Sequence, residues 1–412
     1  MRIYVILRAV LISTAFCFGL ALFTFSALGQ DVGADVGGGA GIFRPKNPET
    51  KRVKTPGAKP SSRTTARSTR ATNASVAERV EELLDKGNQF RDSRRFAEAE
   101  ESYQGVLKLR PRDARAAYGL GNIYSDQQRW ENAELAYRNA VQWAPANVDA
   151  LVALSVVLVQ PRVAGANAKR FTESETFARR AVQLEPKNAV AWDRLGVALQ
   201  ARGLFNSETE HSYRRAIEID PQFAVAYAHL ARVLNRTSRT PEALPLYAKA
   251  SELAKDAATL NLIAESLQAE QQWERSEPVL KRALELDARN PIALLAMGRM
   301  LIVFKRYQEA EPYLKTATEV SSHAFQPLNL LGRAYLAMDR FADAEVTYER
   351  AAAFATPGDR KQLAGLFGFE GVGDAYAKAK EKENSARAYQ RALALDPGNK
   401  TLEQKLAKAR SR

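Results

Sequence analysis

Residues 120 to 145 read LGNIYSDQQRWENAELAYRNAVQWAP, and residues 331 to 353 read LGRAYLAMDRFADAEVTYERAAA. The two stretches share a Leu-Gly pair, a tyrosine three residues after the glycine, and a later aromatic residue followed at three by alanine. A self-similarity with a period of about 34 residues is typical of arrays built from pairs of short helices. One such pair cannot bury its apolar face alone, so neighbouring pairs must stack. We therefore expect an all-α fold, an α-solenoid of helix-turn-helix repeats.

The unit from Ala114 to Asn147 shows the physical logic of the repeat. Its first helix carries small and apolar residues, among them Gly121 and Tyr124, at the spacing of one helical face. Its second helix carries a matching stripe that includes Tyr137, and the small Gly121 lies where the two helices cross closely. Pro145 ends the second helix because proline lacks the backbone donor and disfavours helix in the residue before it.

This pattern of Leu-Gly, tyrosine, alanine, an aromatic residue and proline resembles the tetratricopeptide repeat. Nine units covering residues 80 to 399 fit it, and they start near Val80, Ala114, Val148, Ala189, Ala224, Ala257, Pro291, Phe325 and Leu366. A small residue holds the crossing position in every unit: Gly87, Gly121, Ser155, Gly196, Ala231, Ala264, Gly298, Gly332 and Gly373. The resemblance implies a right-handed superhelix whose concave channel is lined by the first helix of each repeat.

The resemblance also implies which residues contact a partner, since residues beside the core stripe of the first helix bind an extended or helical peptide in this family. The position after the crossing residue holds Asn88, Asn122, Val156, Val197, Arg232, Glu265, Arg299, Arg333 and Asp374. We expect the amides of Asn88 and Asn122 to hydrogen-bond to the backbone of a bound segment. We expect Arg299 and Arg333, in adjacent repeats, to bind a carboxylate.

Apolar residues around the two arginines favour a particular kind of partner. The same channel is expected to expose Ile292, Leu295, Ile302 and Leu336. An apolar patch flanked by arginine suits an acidic-hydrophobic segment of a protein or peptide partner. In the alternative interpretation, the arginines only solvate the channel and pair with neighbouring acids.

The net charge of +13 is carried almost entirely by the two ends of the chain. Residues 1–72 contribute +8 and residues 400–412 contribute +4, which leaves the repeats at +1. A nearly neutral array does not provide the basic groove that nucleic acid requires, so no nucleic-acid partner is expected.

The first 29 residues are typical of an export signal or a membrane anchor. Arg2 and Arg8 precede an uncharged apolar run from residue 9 to residue 28, and Ala27-Leu28-Gly29 offers small residues for cleavage before Gln30. The run is also long enough to cross a bilayer as an uncleaved anchor. Either alternative normally places the repeats outside the cytoplasm, in the periplasm or cell envelope. An inverted anchor with cytoplasmic repeats is the third alternative, because basic residues from Arg44 onward compete under the positive-inside rule.

The segments outside the repeats are expected to have simpler roles. Residues 30–79 are glycine-rich and then basic and rich in Pro, Ser and Thr, which predicts a disordered tether. Its role is spacing or, alternatively, contact of residues 44–72 with an anionic envelope polymer or lipid. Residues 400–412 bring Leu402 and Leu406 onto one helical face and predict a basic cap helix.

Motifs of enzymes, metals and cofactors are missing from the sequence. The single cysteine is Cys17, and the three histidines, His211, His229 and His323, lack metal-ligand spacing. Neither a phosphate-binding GxxxxGK[ST] nor a GxSxG motif occurs. We therefore expect no catalytic residues, no metal and no cofactor.

Two classes of function follow from these observations. The first is a noncatalytic scaffold or adaptor of the cell envelope that binds a partner in its concave channel. The second is an accessory subunit of a machine for polysaccharide synthesis or secretion, whose basic tether holds an anionic polymer or the membrane. Binding of a polymer should weaken steeply with ionic strength, whereas capture of a peptide in the channel should depend less on salt.

Overall fold

The computed structural model describes residues 45–50, 64–160, 167–321 and 324–411, and for residues 64–74 it describes the backbone alone. Within these ranges the regular structure is helical and contains no strand. The helices in chain order are α1 Thr64–Asp92, α2 Phe96–Leu109, α3 Ala114–Asp126, α4 Trp130–Trp143, α5 Val148–Leu158, α6 Asn167–Leu184, α7 Ala189–Ala201, α8 Ser207–Ile219, α9 Ala224–Arg236, α10 Thr240–Leu253, α11 Ala257–Ala269, α12 Trp273–Leu286, α13 Pro291–Val303, α14 Tyr307–Val320, α15 Phe325–Ala337, α16 Phe341–Ala352, α17 Pro357–Ala364, α18 Phe369–Lys378, α19 Lys382–Leu395 and α20 Lys400–Arg410. The prediction of an all-α solenoid is confirmed.

Two compact units, residues 1–246 and 247–412, make up the chain, and the division falls inside α10. In each unit, first and second helices pack as pairs, such as α3 with α4 and α15 with α16, and neighbouring pairs pack on each other, as α2 does on α3 and α14 on α15. Seven first helices begin at the residues expected from the repeat pattern: Ala114, Val148, Ala189, Ala224, Ala257, Pro291 and Phe325. Side-chain caps fix several of these starts, for example Asn147, which accepts a hydrogen bond from the backbone of Ala150.

Tyrosine rings fill the crossings between paired helices. A Cβ atom added to Gly121 would lie 2.4 Å from the ring of Tyr137, and one added to Gly332 would lie 2.4 Å from the ring of Tyr348. Such distances are far shorter than a van der Waals contact, so only glycine lets the ring of the second helix reach the backbone of the first. The ring of Tyr137 is fully buried as a result.

A left-handed residue closes the first helix of the repeat seven positions after the crossing residue. Among the described residues, the non-glycine residues with this backbone conformation are Arg94, Gln128, Ser238, Gln271, Lys305, Asp339 and Lys380. Gly203 holds the same position in the fourth repeat, with φ of +76°. The next residue's N–H bonds back to the last turn, as Arg129 N does to Tyr124 O at 2.8 Å, which is the Schellman arrangement.

The structure departs from the expected tether at two places. Helix α1 begins at Thr64 instead of near Val80, because residues 64–79 carry no proline and continue the helix that Val80 and Leu84 anchor in the core. Residues 45–50 lie against α1 and α3, where polar side chains bind their backbone. The rest of the expected tether and the N-terminal apolar run lie outside the described residues.

Two features concern the C-terminal repeats, and a third concerns all the described helices. The last repeat begins at Phe369 rather than near Leu366, since the short helix α17 and a turn precede it. Helix α20 buries Leu402 and Leu406, as expected for the cap. Among the described residues, no helix combines the length and apolar character needed to span a bilayer.

Candidate functional site

Two asparagine amides on adjacent first helices are held by tyrosines from the second helices. Tyr103 Oη donates to Asn88 Oδ1 at 2.7 Å, and Tyr137 Oη donates to Asn122 Oδ1 at 2.9 Å. Burial raises the pKa of both phenols, so they remain protonated donors. Because each amide oxygen is occupied by a tyrosine, each amide nitrogen is directed to the other side as a donor.

The backbone of residues 45–50 accepts hydrogen bonds from these two amides. Asn122 Nδ2 donates to the carbonyl of Lys46 at 2.8 Å, and Asn88 Nδ2 donates to the carbonyl of Pro48 at 3.0 Å. The two acceptors are two residues apart in the segment. The pair of asparagines therefore binds the main chain of an extended segment at alternate carbonyls.

Arg91, one turn after Asn88 on α1, adds a buried cation to this site. Its Nη1 donates to the carbonyl of Pro45 at 2.8 Å and to Asn47 Oδ1 at 3.0 Å. Its Nε lies 2.7 Å from Asp126 Oδ2 on α3, and only 1% of the side chain is exposed. The ion pair with Asp126 fixes the guanidinium, which leaves Nη1 directed at the segment.

Arg115, at the start of α3, binds the other end of the segment. Its Nη1 donates to the carbonyl of Glu49 at 3.1 Å, while a bidentate pair with Glu81 at 2.9 and 3.0 Å holds the guanidinium. Arg115 precedes Asn122 by about two turns of helix, and their acceptors, Glu49 and Lys46, are three residues apart. The segment therefore runs antiparallel to α3.

The side chains of the segment divide into two sets. Pro45 and Pro48 are buried against the helices, whereas Lys46 and Glu49 are exposed. Asn47 donates through Nδ2 to Asp92 Oδ2 at 2.9 Å. The site, which we call the N-terminal groove and define by Asn88, Arg91, Arg115 and Asn122, thus receives main-chain carbonyls and proline rings.

Arg232, a third residue expected in the channel, lies in a buried polar cluster of repeats four and five. Its Nη2 donates to Gln200 Oε1 at 2.9 Å, and only 7% of the residue is exposed. In the same cluster, His229 Nδ1 lies 2.8 Å from Asp193 Oδ1, and Arg194 pairs with Asp193 at 2.7 Å. Burial lowers the pKa of His229 despite the neighbouring carboxylate. Arg232 thus joins neighbouring repeats.

The two arginines expected to bind a carboxylate have separate partners within the second unit. Arg299 donates through Nε and Nη2 to Gln268 Oε1 at 3.2 and 2.9 Å, although its side chain remains exposed. Arg333 stacks on the ring of Phe367, with its guanidinium carbon 4.7 Å from the ring centre. Phe367 is 63% exposed, so this pair presents an aromatic face to solvent.

Apolar residues expected in the same channel differ in exposure. Ile292 is 49% exposed, Leu295 and Leu336 are half-buried, and Ile302 is buried. Accessible apolar surface at this place is therefore supplied mainly by Ile292 and, near Arg333, by Phe367.

At the last repeat, the position after the crossing residue holds Asp374. Tyr389 Oη donates to Asp374 Oδ1 at 2.6 Å, which repeats the tyrosine contact of Asn88 and Asn122. A carboxylate cannot donate, and Lys405 of the cap helix binds it at 2.7 Å. The same position therefore binds a cation in the last repeat and backbone carbonyls in the first two.

The repeat pattern predicts Asn88 and Asn122 as channel residues, but it does not predict Arg91, Arg115 or the segment of residues 45–50 that contacts all four. One sequence signal could have predicted Arg91: it follows Asn88 by three residues and therefore lies on the same side of α1. Of the histidines, His211 is exposed beside Trp192, with ring centres 5.8 Å apart. His323 lies outside the described residues.

Comparison with known proteins agrees with the helix-pair architecture. The family model of the tetratricopeptide repeat matches residues 84–160, 261–324 and 304–360. No curated protein sequence matches the chain.

The chain is also similar to several solved structures. TTC0263 of Thermus thermophilus, described as a thermophilic TPR protein, is 22% identical over 46% of this chain and 99% of its own, with a TM-score of 0.40. MamA from Desulfovibrio magneticus RS-1 is 16% identical over 42% of this chain and 94% of its own, with a TM-score of 0.37. YrrB, described as a TPR protein with an unusual peptide-binding site, is 22% identical over 45% of this chain and 88% of its own, with a TM-score of 0.35.

Proposed function

We propose that this chain, which is a tetratricopeptide-repeat protein, is a noncatalytic scaffold that binds extended segments of protein partners along the first helices of its repeats. The supporting observation is the N-terminal groove, where four donors from α1 and α3 receive four main-chain carbonyls of one extended segment. Main-chain contacts of this kind give affinity, and the burial of Pro45 and Pro48 gives specificity.

A second binding region of the scaffold lies in the second unit. We assign an acidic-hydrophobic protein segment to the surface around Arg299 and Arg333, with Ile292, Leu295, Ile302 and Leu336 as its apolar neighbours. Arg299 is exposed, and the ring of Phe367 under Arg333 offers further apolar surface. Charge and apolar area together favour a partner that carries carboxylates beside large apolar residues.

In-cell photo-crosslinking tests the scaffold function. A photo-reactive residue at position 292, on the first helix α13, should capture a discrete partner protein. The same residue at position 346, on the second helix α16, should capture none. Val346 is a matched control for Ile292, because the two residues are 56% and 49% exposed. Equal capture at both positions, or no capture at either, would contradict the proposal.

Charge reversal then identifies the contact. The double substitution Arg299→Glu and Arg333→Glu should abolish capture at position 292 while leaving the helical content and melting temperature within the range of the parent chain. Retained capture by a folded variant would remove these two arginines from the binding surface.

The envelope is the proposed location, because the apolar run of residues 9–28 directs export in two of its three interpretations. N-terminal sequencing of the chain recovered from cells distinguishes cleavage from an uncleaved anchor. A mature terminus at Gln30 establishes cleavage, and an intact leader in the membrane fraction establishes an anchor.

The alternative function is an accessory subunit of envelope polysaccharide synthesis or secretion. It is favoured by the +8 charge of residues 1–72, which suits an anionic polymer or lipid surface. Co-sedimentation with vesicles containing anionic phosphatidylglycerol, at low and high salt, measures this contact. Binding that disappears at high salt supports it, whereas equal sedimentation with purely zwitterionic vesicles contradicts it.

A further inference from the structure

We propose that residues 45–50 are the resident ligand of the N-terminal groove, bound within the same chain, and that an external partner must displace them. The inference rests on the proposed function and specifies it for this groove. The external partner is then an extended segment with two prolines three residues apart, in the pattern of Pro45 and Pro48.

Hydrogen bonding carries the first step of the argument. The carbonyls of Pro45, Lys46, Pro48 and Glu49 each accept a bond from the groove, at 2.8, 2.8, 3.0 and 3.1 Å. The four groove contacts are all donors, so they bind carbonyl oxygens and leave the backbone N–H groups of the segment without acceptors. Proline has no backbone N–H, so a segment with proline at two of six positions has fewer such unsatisfied donors. The groove and the segment are matched in this respect.

Burial supplies the second step. Pro45 and Pro48 are buried, while the intervening Lys46 is exposed and Asn47 makes two polar contacts, with Arg91 and Asp92. The ring fixes φ of proline, so an extended proline-containing segment loses little conformational freedom when it binds. Selection is therefore by proline spacing and by the amide of Asn47.

Preformation of the donors is the third step. The amides of Asn88 and Asn122 are oriented by tyrosines, and Arg91 and Arg115 are oriented by Asp126 and Glu81. These fixing contacts come from repeats one and two themselves, so the groove keeps its geometry when the segment leaves. The same site can then accept a competitor.

Crosslinking in the full chain tests whether the segment occupies the groove. A photo-reactive residue replaces Lys46, whose side chain is exposed, and a mixture of unlabelled and nitrogen-15 chains is irradiated. The expected adducts join position 46 to residues 80–126 within chains of one isotope. Adducts between the two isotopes, or adducts only outside repeats one and two, would overturn the proposal.

Matched substitutions connect these adducts to the donors. Asn88→Asp with Asn122→Asp keeps an acceptor for each tyrosine but places a carboxylate against the segment's carbonyls. At pH 8 this variant should lose most of the adducts. Asp374→Asn, the reverse change at the corresponding position of the last repeat, should leave the yield unchanged. Equal yields from all three chains would count against the assigned donors.

Competition measures the displacement. The probe is a fluorescein-labelled peptide with the sequence of residues 44–52, and its binding is followed by anisotropy. A segment tethered beside its own site competes at an effective concentration on the order of millimolar. A full chain carrying Asn47→Ala and Pro48→Ala should bind the probe about tenfold more tightly than the parent, because the weakened resident segment is released more easily.

The outcomes separate the inference from the function. Measurable and equal affinity of the parent and the variant for the probe overturns self-occupancy. Adducts within one chain together with no binding of the probe to either protein support the resident segment, and they contradict an external peptide partner at this groove.

Discussion

Tyr137 donates through Oη to Asn122 Oδ1 at 2.9 Å, and this bond determines which end of the amide faces the groove. With the oxygen occupied, Nδ2 is left to donate to the carbonyl of Lys46 at 2.8 Å. Asn88 and Tyr103 repeat the arrangement one repeat earlier. A packing residue of the second helix therefore sets the recognition chemistry of the first.

Removing this phenol should affect both stability and the groove. Tyr137→Phe leaves Asn122 Oδ1 without its donor, so we expect a loss of about 1 kcal/mol in the free energy of unfolding. We also expect a lower yield of adducts from position 46, since the amide is no longer held in one orientation. Urea unfolding and crosslinking measure the two effects.

Tyr348 offers the matched control for that substitution. Its ring lies at the corresponding crossing, but its buried hydroxyl has no hydrogen-bond partner among the described residues, and Arg333, which follows the glycine, stacks on Phe367. Tyr348→Phe should therefore be neutral or slightly stabilising. A loss equal to that of Tyr137→Phe would show that the hydroxyl bond to Asn122 contributes nothing particular.

The glycine at the crossing should tolerate no added methyl group. Gly121→Ala places a Cβ 2.4 Å from the ring of Tyr137, and the ring has no room to retreat in the core. We expect a loss of about 1–3 kcal/mol in the free energy of unfolding, as is usual for overpacking. Gly358→Ala is the control, because its nearest atom is 3.9 Å away and α17 gains helix propensity there.

The left-handed residue that ends the first helix predicts substitutions of opposite sign. Lys380 has φ of +66° and is exposed, so Lys380→Gly should relieve strain and raise the free energy of unfolding by about 0.5–1 kcal/mol. Gly203 has φ of +76° and open space around it, so Gly203→Ala should cost about 1 kcal/mol through the backbone alone. Chemical denaturation of both variants provides the measurement. Changes of the same sign would contradict this account.

The buried cluster around His229 predicts a loss of stability in mild acid. Burial lowers the pKa of His229 below its usual value, and Asp193, Arg194 and Arg232 surround it. In the unfolded chain the imidazole takes up a proton near pH 6.5, before the folded chain does. Stability is therefore present at pH 7.5 and falls as the pH drops through that value.

The size of this stability loss and its control follow from the same coupling between His229 protonation and unfolding. Between pH 7.5 and 5.5 we expect a loss of about 1 kcal/mol, measured as the free energy of unfolding. His229→Gln should show a smaller difference between the two pH values. The Asp193 carboxyl, whose pKa is also lowered, has its own window below about pH 4 and does not contribute here. An equal difference in parent and variant would exclude His229 as the cause.

Much of the fold was predictable from residues whose type and spacing specify one local structure, such as a close helix crossing or a helix start. Glycine before tyrosine at a fixed spacing specifies a close crossing, and Asn147 or Pro291 at a helix start specifies where a helix begins. Such signals are local, so one sequence was enough to place seven helix starts correctly.

The groove's occupant was not predictable because its contacts are distant in sequence. Asn122 and Lys46 are 76 residues apart, and residues 45–50 have the composition of an unfolded linker. Composition measures the ability of a segment to form its own core and says nothing about docking on a surface formed elsewhere. The repeat pattern predicts the positions of Arg299 and Arg333 on their helices. The hydrogen bond from Arg299 to Gln268 and the stacking of Arg333 on Phe367 depend on side-chain geometry, which the pattern does not contain.

The division of the segment into buried prolines and outward-facing Lys46 and Glu49 has an evolutionary consequence. The groove donors bind main-chain carbonyl oxygens, so their hydrogen bonds do not depend on which side chains face outward. Those two positions are then free to drift in homologous chains, or to acquire new charges, without loss of docking. Conservation should instead concentrate on the two prolines and on Asn47, which gives comparative genomics a concrete pattern to seek.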